Sequence, residues 1–332
     1  MSEEKRKTEN TSKKKEILKK IKGFLVIVMV AAISIAGTLA YLSRKTDRVT
    51  NTFTATDDIK ITVIEPSFTP PPGGYQPDVE YPKDPRLANI TGTEKNDDEW
   101  VIMRVDYRTF TDSEPEEKEG KTVKTRRYTQ VSYNDITHNE ALTNDALTAS
   151  NAKGLINIID DLNNIASNKN WIKVKSEWLD DELSAKVFGG SYTDENGDTT
   201  TYEAQKCDYF IYKKVINSNL NVNSEEAAKT NLTSTSVTDP LFTSVKIKTQ
   251  EQLVHNGYTM DTLPGFTIDV LGGAIKNSGD KTIEIAGGAL DIDNLSNPGT
   301  DENPNVSRTI VNELVKLLLN EEPTTTEEIE VD

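Results

Sequence analysis

The chain has almost none of the residues that build compact chemistry. Among 332 residues there is one cysteine, Cys207, and there are two histidines, His138 and His255. A single cysteine excludes an intramolecular disulfide, so the fold has to stand on its hydrophobic core. The histidines sit far apart in polar stretches, and no HExxH brings two of them onto one helical face. GxSxG, a P-loop and the Rossmann glycine fingerprint are also missing. Positive charge is in deficit: 38 Lys and Arg face 54 Asp and Glu, for a net charge of -16. Nucleic acid needs a basic footprint, so it is excluded as a partner. The inventory points to a protein that is not an enzyme and carries no cofactor. Cys207, in the strand-like run CDYFIYKKVI, reads as a buried, inert thiol.

The N-terminus departs from this acidic background. Nine Lys or Arg fall within the first 22 residues, followed by the uncharged run Gly23–Leu42. Thr38 and Ala40 place small residues at its end. This is the layout of a secretory signal over residues 1–40. The run is also long enough to span a bilayer as a retained anchor. Either way, the membrane is met only through the uncleaved signal, and the rest of the chain is exported. Removing residues 1–40 would leave the remainder still more acidic.

Beyond the signal the pattern is mostly period two. In WVIMRVDY, Val101, Met103, Val105 and Tyr107 share one face, and Arg104 and Asp106 share the other. Ile59, Ile61 and Val63 alternate with polar neighbours, as do Phe266, Ile268 and Val270; Leu241, Val245 and Ile247 share a face. RRYTQV (126–131), WIKVKSEW (171–178) and YFIYKKVI (209–216) are further strand candidates. Such alternation predicts half-buried antiparallel strands. The fold class expected is all-β: an antiparallel sandwich with inserted helices and long polar loops, one domain over 41–320. Two segments read as helix. One is GLINIIDDLNNIAS (154–167), and the other is SRTIVNELVKLLLN (307–320), with Ser307 as N-cap and Ile310, Val311, Leu314, Leu317 and Leu318 on its apolar face.

PSFTPPPGGYQP (66–77) reads as a linker, TDSEPEEKEGKTVK (111–124) as a charged excursion and DENGDTT (194–200) as a hairpin tip. Residues 321–332 read as an acidic disordered tail. Gly272-Gly273 and Gly287-Gly288 read as turns or bulges. DENGD (194–198) and DIDNLSNPGTDEN (291–303) gather oxygen donors of the kind calcium takes, without EF-hand spacing. An acidic chain also produces such clusters by composition alone.

Four stretches resemble a known family. GTLAYLSRKTDRVTNTFTATDDIKITVIEP (37–66) resembles the start of TasA/camelysin-type exported matrix proteins, with Gly37, Thr38, Ala40 and Tyr41, then Asn51, Thr52 and Phe53 ahead of the strand DIKITV. YPKDPRLANITGTEKNDDEWVIMRVDY (81–107) is similar to the family's central segment, with Lys83, Asp84, Pro85, Asn89, Gly92 and Thr93 in place. TDPLFTSVKI (238–247) and GFTIDVLGGAIKNSG (265–279) resemble two later strands, the second with Lys276 where the family has Gln. The nearest branch is the clostridial type of SipW-dependent biofilm matrix proteins. Residues 108–235 and 280–332 have no counterpart.

The resemblance implies a jelly-roll-like sandwich, secreted and self-associating into extracellular fibres. It also implies cleavage between Ala40 and Tyr41 by a signal peptidase of the SipW type. In such fibres the freed N-terminal segment adds as a strand to the next subunit. Here Val49, Asn51 and Phe53 share one face of that segment, with threonines on the other, so the alternation suits strand addition. The same residues would equally serve as the chain's own first strand. Some family members are labelled metallopeptidases, but no zinc motif carries that activity here. A membrane-anchored or secreted adhesin, using the acidic loops at 111–124 and 189–203, is the alternative function.

Overall fold

In the computed structural model of the protein, the structure describes residues 54–55, 59–69, 75–92, 98–137, 154–159, 170–259, 263–277, 283–300, 302–321 and 325–330. The first half runs β1 (Thr54–Ala55), β2 (Ile59–Ile64), β3 (Glu80–Pro82), β4 (Arg86–Asn89), β5 (Glu99–Asp112), β6 (Glu116–Lys118), β7 (Lys121–Val131), α1 (Tyr133–Thr137) and β8 (Ile156–Ile159). Next come β9 (Trp171–Lys173), a 3-10 turn (Ser176–Trp178), α2 (Asp181–Phe188), β10 (Gly190–Thr193), β11 (Thr199–Tyr202), β12 (Cys207–Tyr212) and α3 (Glu225–Thr230). The chain continues with β13 (Ser244–Ile247), α4 (Gln250–His255), β14 (Gly265–Lys276), α5 (Val306–Leu318) and β15 (Thr326–Glu330). The protein is mostly β, with antiparallel sheets and a few short helices.

β5 is the hub. β14 pairs with it antiparallel from Glu99 to Phe110 and so occupies one whole edge. The opposite edge is shared end to end, with β12 against Ile102–Asp106 and β7 against Tyr107–Asp112. β9 extends the sheet beyond β12, and β6 and β15 pair with β7, giving seven strands. Two three-stranded sheets accompany it, β1-β2-β4 and β3-β13-β8.

The alternation in β5 sorts the core onto two faces. Val101, Met103, Val105 and Tyr107 join one cluster with Ile61, Val63 and Leu87 of the first small sheet and Ile156, Val245 and Ile247 of the second. Trp100 and Ile102 point the other way, into a cluster with Tyr209, Ile211 and the apolar stripe of α5. The expectation of a half-buried β5 is therefore corrected. Glu99 through Arg108 are all buried, because both faces are covered. Arg104 and Asp106 lie inside, 3 % and 1 % exposed, where the sequence pattern put them on a solvent face.

α5 follows the expected period. Ile310, Val311, Leu314, Val315 and Leu318 are fully buried, and burying each such side chain stabilises by about 1.5–3 kcal/mol. Two details differ. Leu317 is 44 % exposed, at the edge of the stripe. The N-cap is Asn305, whose side chain accepts from the Arg308 amide at 3.1 Å; Ser307 Oγ instead accepts from the Asp291 amide.

Other expectations shift more. The helix read over 154–167 is replaced at its start by β8, where Ile156 and Ile158 are buried and the backbone pairs with β13. Residues 160–167 lie outside the described residues. The tail does not stay free: Thr326–Glu330 form β15, because the edge of β7 offers unpaired backbone groups and basic side chains. The 111–124 excursion is a hairpin, with β6 folded back on β7. The 171–178 strand stops at Lys173 and ends in the 3-10 turn, and the 209–216 strand ends at Tyr212. The hairpin tip at 194–200 is where it was expected, between β10 and β11.

Candidate functional site

The stretches that carry the resemblance meet in one place. Lys83 is buried and pairs with Glu65 at 2.6 Å, under the ring of Phe68. Asp84 accepts from the Ser67 amide at 2.8 Å, and Arg86 Nε lies 3.5 Å from its carboxylate. The segment 236–241 is laced to 85–89. Thr238 N donates to Leu87 O, Leu87 N to Thr238 Oγ1, Leu241 N to Pro85 O and Asn89 N to Ser236 O, at 2.8–2.9 Å. β4 also pairs with β2. β14 presses on both: a Cβ on Gly272 would lie 2.3 Å from Leu87 Cδ2 and 3.3 Å from Val63 Cγ2. Gly272 is thus a close-approach glycine within a strand, correcting its reading as a turn or bulge, while Gly287 and Gly288 do turn with positive φ. Gly92 also needs to be glycine. Its φ is 64°, and a Cβ would meet Asn223 Cβ at 2.6 Å.

An open groove of about 960 Å³ runs beside this junction. Arg86, Asp98, Asn170, Tyr212, Lys214 and Asp239 line it, with the 233–235 and 284–288 loops. Asp239 is held by its neighbours. It accepts from Asn170 Nδ2 at 2.6 Å and from the Tyr212 hydroxyl at 3.2 Å, and its carbonyl accepts from Trp171 Nε1. Burial pushes the Tyr212 phenol up to about 12, so it stays a donor. Acidic and basic groups share the walls: Asp98, Asp239 and Glu284 with Arg86 and Lys214.

A second concentration of polar groups is closed to solvent. Arg104 Nη2 donates to Asp106 Oδ1 at 2.9 Å, and Gln130 Nε2 donates to the same oxygen. Arg108 Nε donates to Asp269 at 2.7 Å. Arg126 binds Asp112 with two hydrogen bonds, of 2.8 and 3.1 Å. Desolvation raises the Asp106 carboxyl against the pull of Arg104. Buried, shifted groups mark active sites when a cleft reaches them. Here Asp106 is 1 % and Tyr209 2 % exposed, so the cluster serves the fold. Sequence reasoning missed it. The signal was Arg104, Asp106 and Arg108 spaced two apart in a strand whose other face carries Val101, Met103, Val105 and Tyr107 at the same level.

The remaining expected residues fall as follows. Ala40, Tyr41, Val49, Asn51 and Phe53 lie outside the described residues, as does His138. The first described residues after them, Thr54 and Ala55, pair with β2. His255 is exposed at the end of α4. Cys207 is half-buried, its thiol pushed up to about 12 by burial, which makes it a poor nucleophile. Asp194 spends its carboxylate on the Asn196 and Asp198 amides of its own turn. Among the described residues no group of three or more His, Cys, Asp or Glu is placed to hold a metal. Nor is any described helix long and apolar enough to cross a membrane; Gly23–Leu42 lies outside them. Comparison of the chain with protein-family models, with curated proteins and with solved structures finds no match.

Proposed function

We propose that the chain is a secreted structural subunit of an extracellular matrix or surface fibre, of the TasA/camelysin type. In this reading a SipW-type signal peptidase cuts between Ala40 and Tyr41. The freed segment around Val49, Asn51 and Phe53 then adds as a strand to the next subunit. In this reading the seven-stranded sheet and the two small sheets against one of its faces are the layers of a jelly-roll-like sandwich. The observation that carries the reading is the convergence of the resembling stretches. β2, the Lys83–Asn89 stretch, the 236–241 segment and β14 are far apart in sequence, yet they form one packed junction. The donor segment is followed in the chain by β1, which pairs with β2 of that junction. Main-chain pairing supplies affinity in strand addition, and alternate side chains supply register. Head-to-tail addition that does not close yields filaments.

The test is N-terminal sequencing of protein from culture supernatant, with electron microscopy of the same sample and of a variant lacking residues 41–52. A new N-terminus at Tyr41, filaments, and their loss in the deletion are the expected results. Filaments formed by the deletion variant would end the donor-strand reading.

The polar groove favours a second reading, an adhesin that binds a polar ligand at the surface. It expects residues 23–42 to be retained on membrane-bound protein, without filaments.

A further inference from the structure

β15 lies on the surface of the large sheet. None of its five residues is buried, and unlike β6, which is likewise unburied but tied to β7 by a hairpin, it comes from the far end of the chain. It pairs with β7 from Thr326 opposite Arg127 to Glu330 opposite Val123. Its carboxylates meet cations and a phenol on β6 and β7: Glu328 binds Lys118, Glu330 binds Lys121 at 2.8 Å, and Glu327 accepts from the Tyr128 hydroxyl at 2.7 Å. Both lysine pairs are more than half exposed, and exposed ion pairs hold weakly. Detaching β15 would therefore uncover little apolar surface and open no core.

The chain before β15 is fixed. Arg104 Nη1 donates to the carbonyls of Leu318 and Glu321, at 2.9 and 2.7 Å. Only residues 322–325 separate that pin from the strand. β15 is thus a short module on a short tether. Short hinges of this kind favour exchange of an element between copies.

Charge selects what β7 accepts. β7 carries Lys121, Lys124 and Arg127, besides the buried Arg126 that is spent on Asp112, in a chain of net charge -16. An open edge of this sign draws an acidic strand. The segment 41–53 holds Arg44, Lys45 and Arg48 against the single Asp47, and so is disfavoured there. The segment that fits in charge and register is 326–330 itself.

We propose that β15 is an exchange strand: when chains are crowded, it leaves its own β7 and pairs with β7 of a second copy. Cis and trans pairing use the same contacts, so concentration decides between them. Reciprocal exchange closes a dimer, and one-way exchange links chains in series. The proposal does not use residues 41–53 and stands apart from donor-strand addition at the N-terminus.

The test uses full-length chains in which Cys207→Ser has removed the native thiol. One carries Thr125→Cys and the other Glu328→Cys, positions that face each other across the β7–β15 ladder. Directly opposed residues lie within disulfide reach. The two proteins are mixed under mild oxidation over a range of concentration and salt. A control replaces Thr125→Cys with Thr122→Cys, out of register with Glu328. A chain carrying both Thr125→Cys and Glu328→Cys, oxidised at high dilution, verifies that the substituted protein folds and pairs in cis. The expected result is a covalent heterodimer from the in-register pair only. Its yield rises with concentration, falls with salt, and is suppressed by a synthetic peptide of residues 322–330. No heterodimer at any concentration, or equal yield from the out-of-register pair, overturns the proposal.

Discussion

One face of the central sheet is built in two ways. Under α5 it is dry. Trp100, Ile102 and Ile211 meet Ile310, Leu314 and Leu318, all fully buried. Beyond the end of the helix the same face carries Arg104, Asp106, Arg108, Asp269, Arg126 and Asp112, in ion pairs stacked against aromatic rings. Trp100 and Asp106 are equally hidden, at 0 % and 1 % exposed. The dry half is stabilised by area removed from water, which is indifferent to direction. The ionic half gains little net energy from its pairs, because desolvation consumes most of the attraction. Its pairs do fix geometry: Arg126 on Asp112 joins β7 to β5, and Arg108 on Asp269 joins β5 to β14, each in one register. Arg104 is the seam between the halves. Its side chain binds Asp106 on one side and on the other closes the C-terminal carbonyls of α5, where a cation also suits the helix dipole.

The most damaging single change should fall at that seam. Arg104→Ala leaves Asp106 buried without its main partner and frees the Leu318 and Glu321 carbonyls, so a loss of about 3–5 kcal/mol is expected by denaturant titration. Arg104→Met combined with Asp106→Leu should recover most of that loss, because an apolar pair of similar volume needs no counter-charge. If the double variant is no better than Arg104→Ala, the two halves do not differ in the way described. The matching change in the dry half is Leu314→Ala, expected to cost about 2–5 kcal/mol through lost burial and a cavity. No second substitution of opposite charge should rescue it.

The contrast between the halves also sets what the sequence disclosed. The dry half was legible. Ile310, Leu314 and Leu318 repeat as α5 requires, and on the opposite face of the sheet Phe266, Ile268 and Val270 alternate as β14 requires, because period and burial are one signal in both places. The ionic half was not. Arg104 and Asp106 follow the alternation of a solvent face, and nothing local in the chain reports that the end of α5 comes to rest above them. β8 failed for a related reason. INII is too short to separate a strand from the start of a helix, and its partner β13 lies almost ninety residues on. β15 reads as a solvated tail by composition and becomes a strand only because β7 is beside it. The groove was invisible, since its walls come from residues spread between 86 and 288. The KDP and TDP stretches, by contrast, were picked out in the sequence, and the structure joins them.

The gentlest probe addresses the rim of the ionic half, where Tyr128 stands between Arg108 and the tail strand. Its phenol is pushed up to about 12, first by desolvation and then by the hydrogen bond to Glu327. Lys118 and Lys121 are also raised, each mainly by the hydrogen bond to its glutamate. All three groups are raised in the folded chain, so the sign is the same for each. The stabilisation of β15 is fully present below their unfolded values and is lost as pH rises through the folded ones. The tail should therefore stay docked through neutral pH and loosen only in strong alkali. Ultraviolet titration of tyrosinate, taken as the difference between the native chain and Tyr128→Phe, should place this phenol above its ordinary value of 10.0. Glu327→Gln removes the negative charge but leaves the burial, so the titration should move part of the way back. A Tyr128 titration unchanged by Glu327→Gln would mean that β15 does not hold this edge in solution. The rim would then be a bare basic strand, and the ionic half of the sheet would end at Arg126.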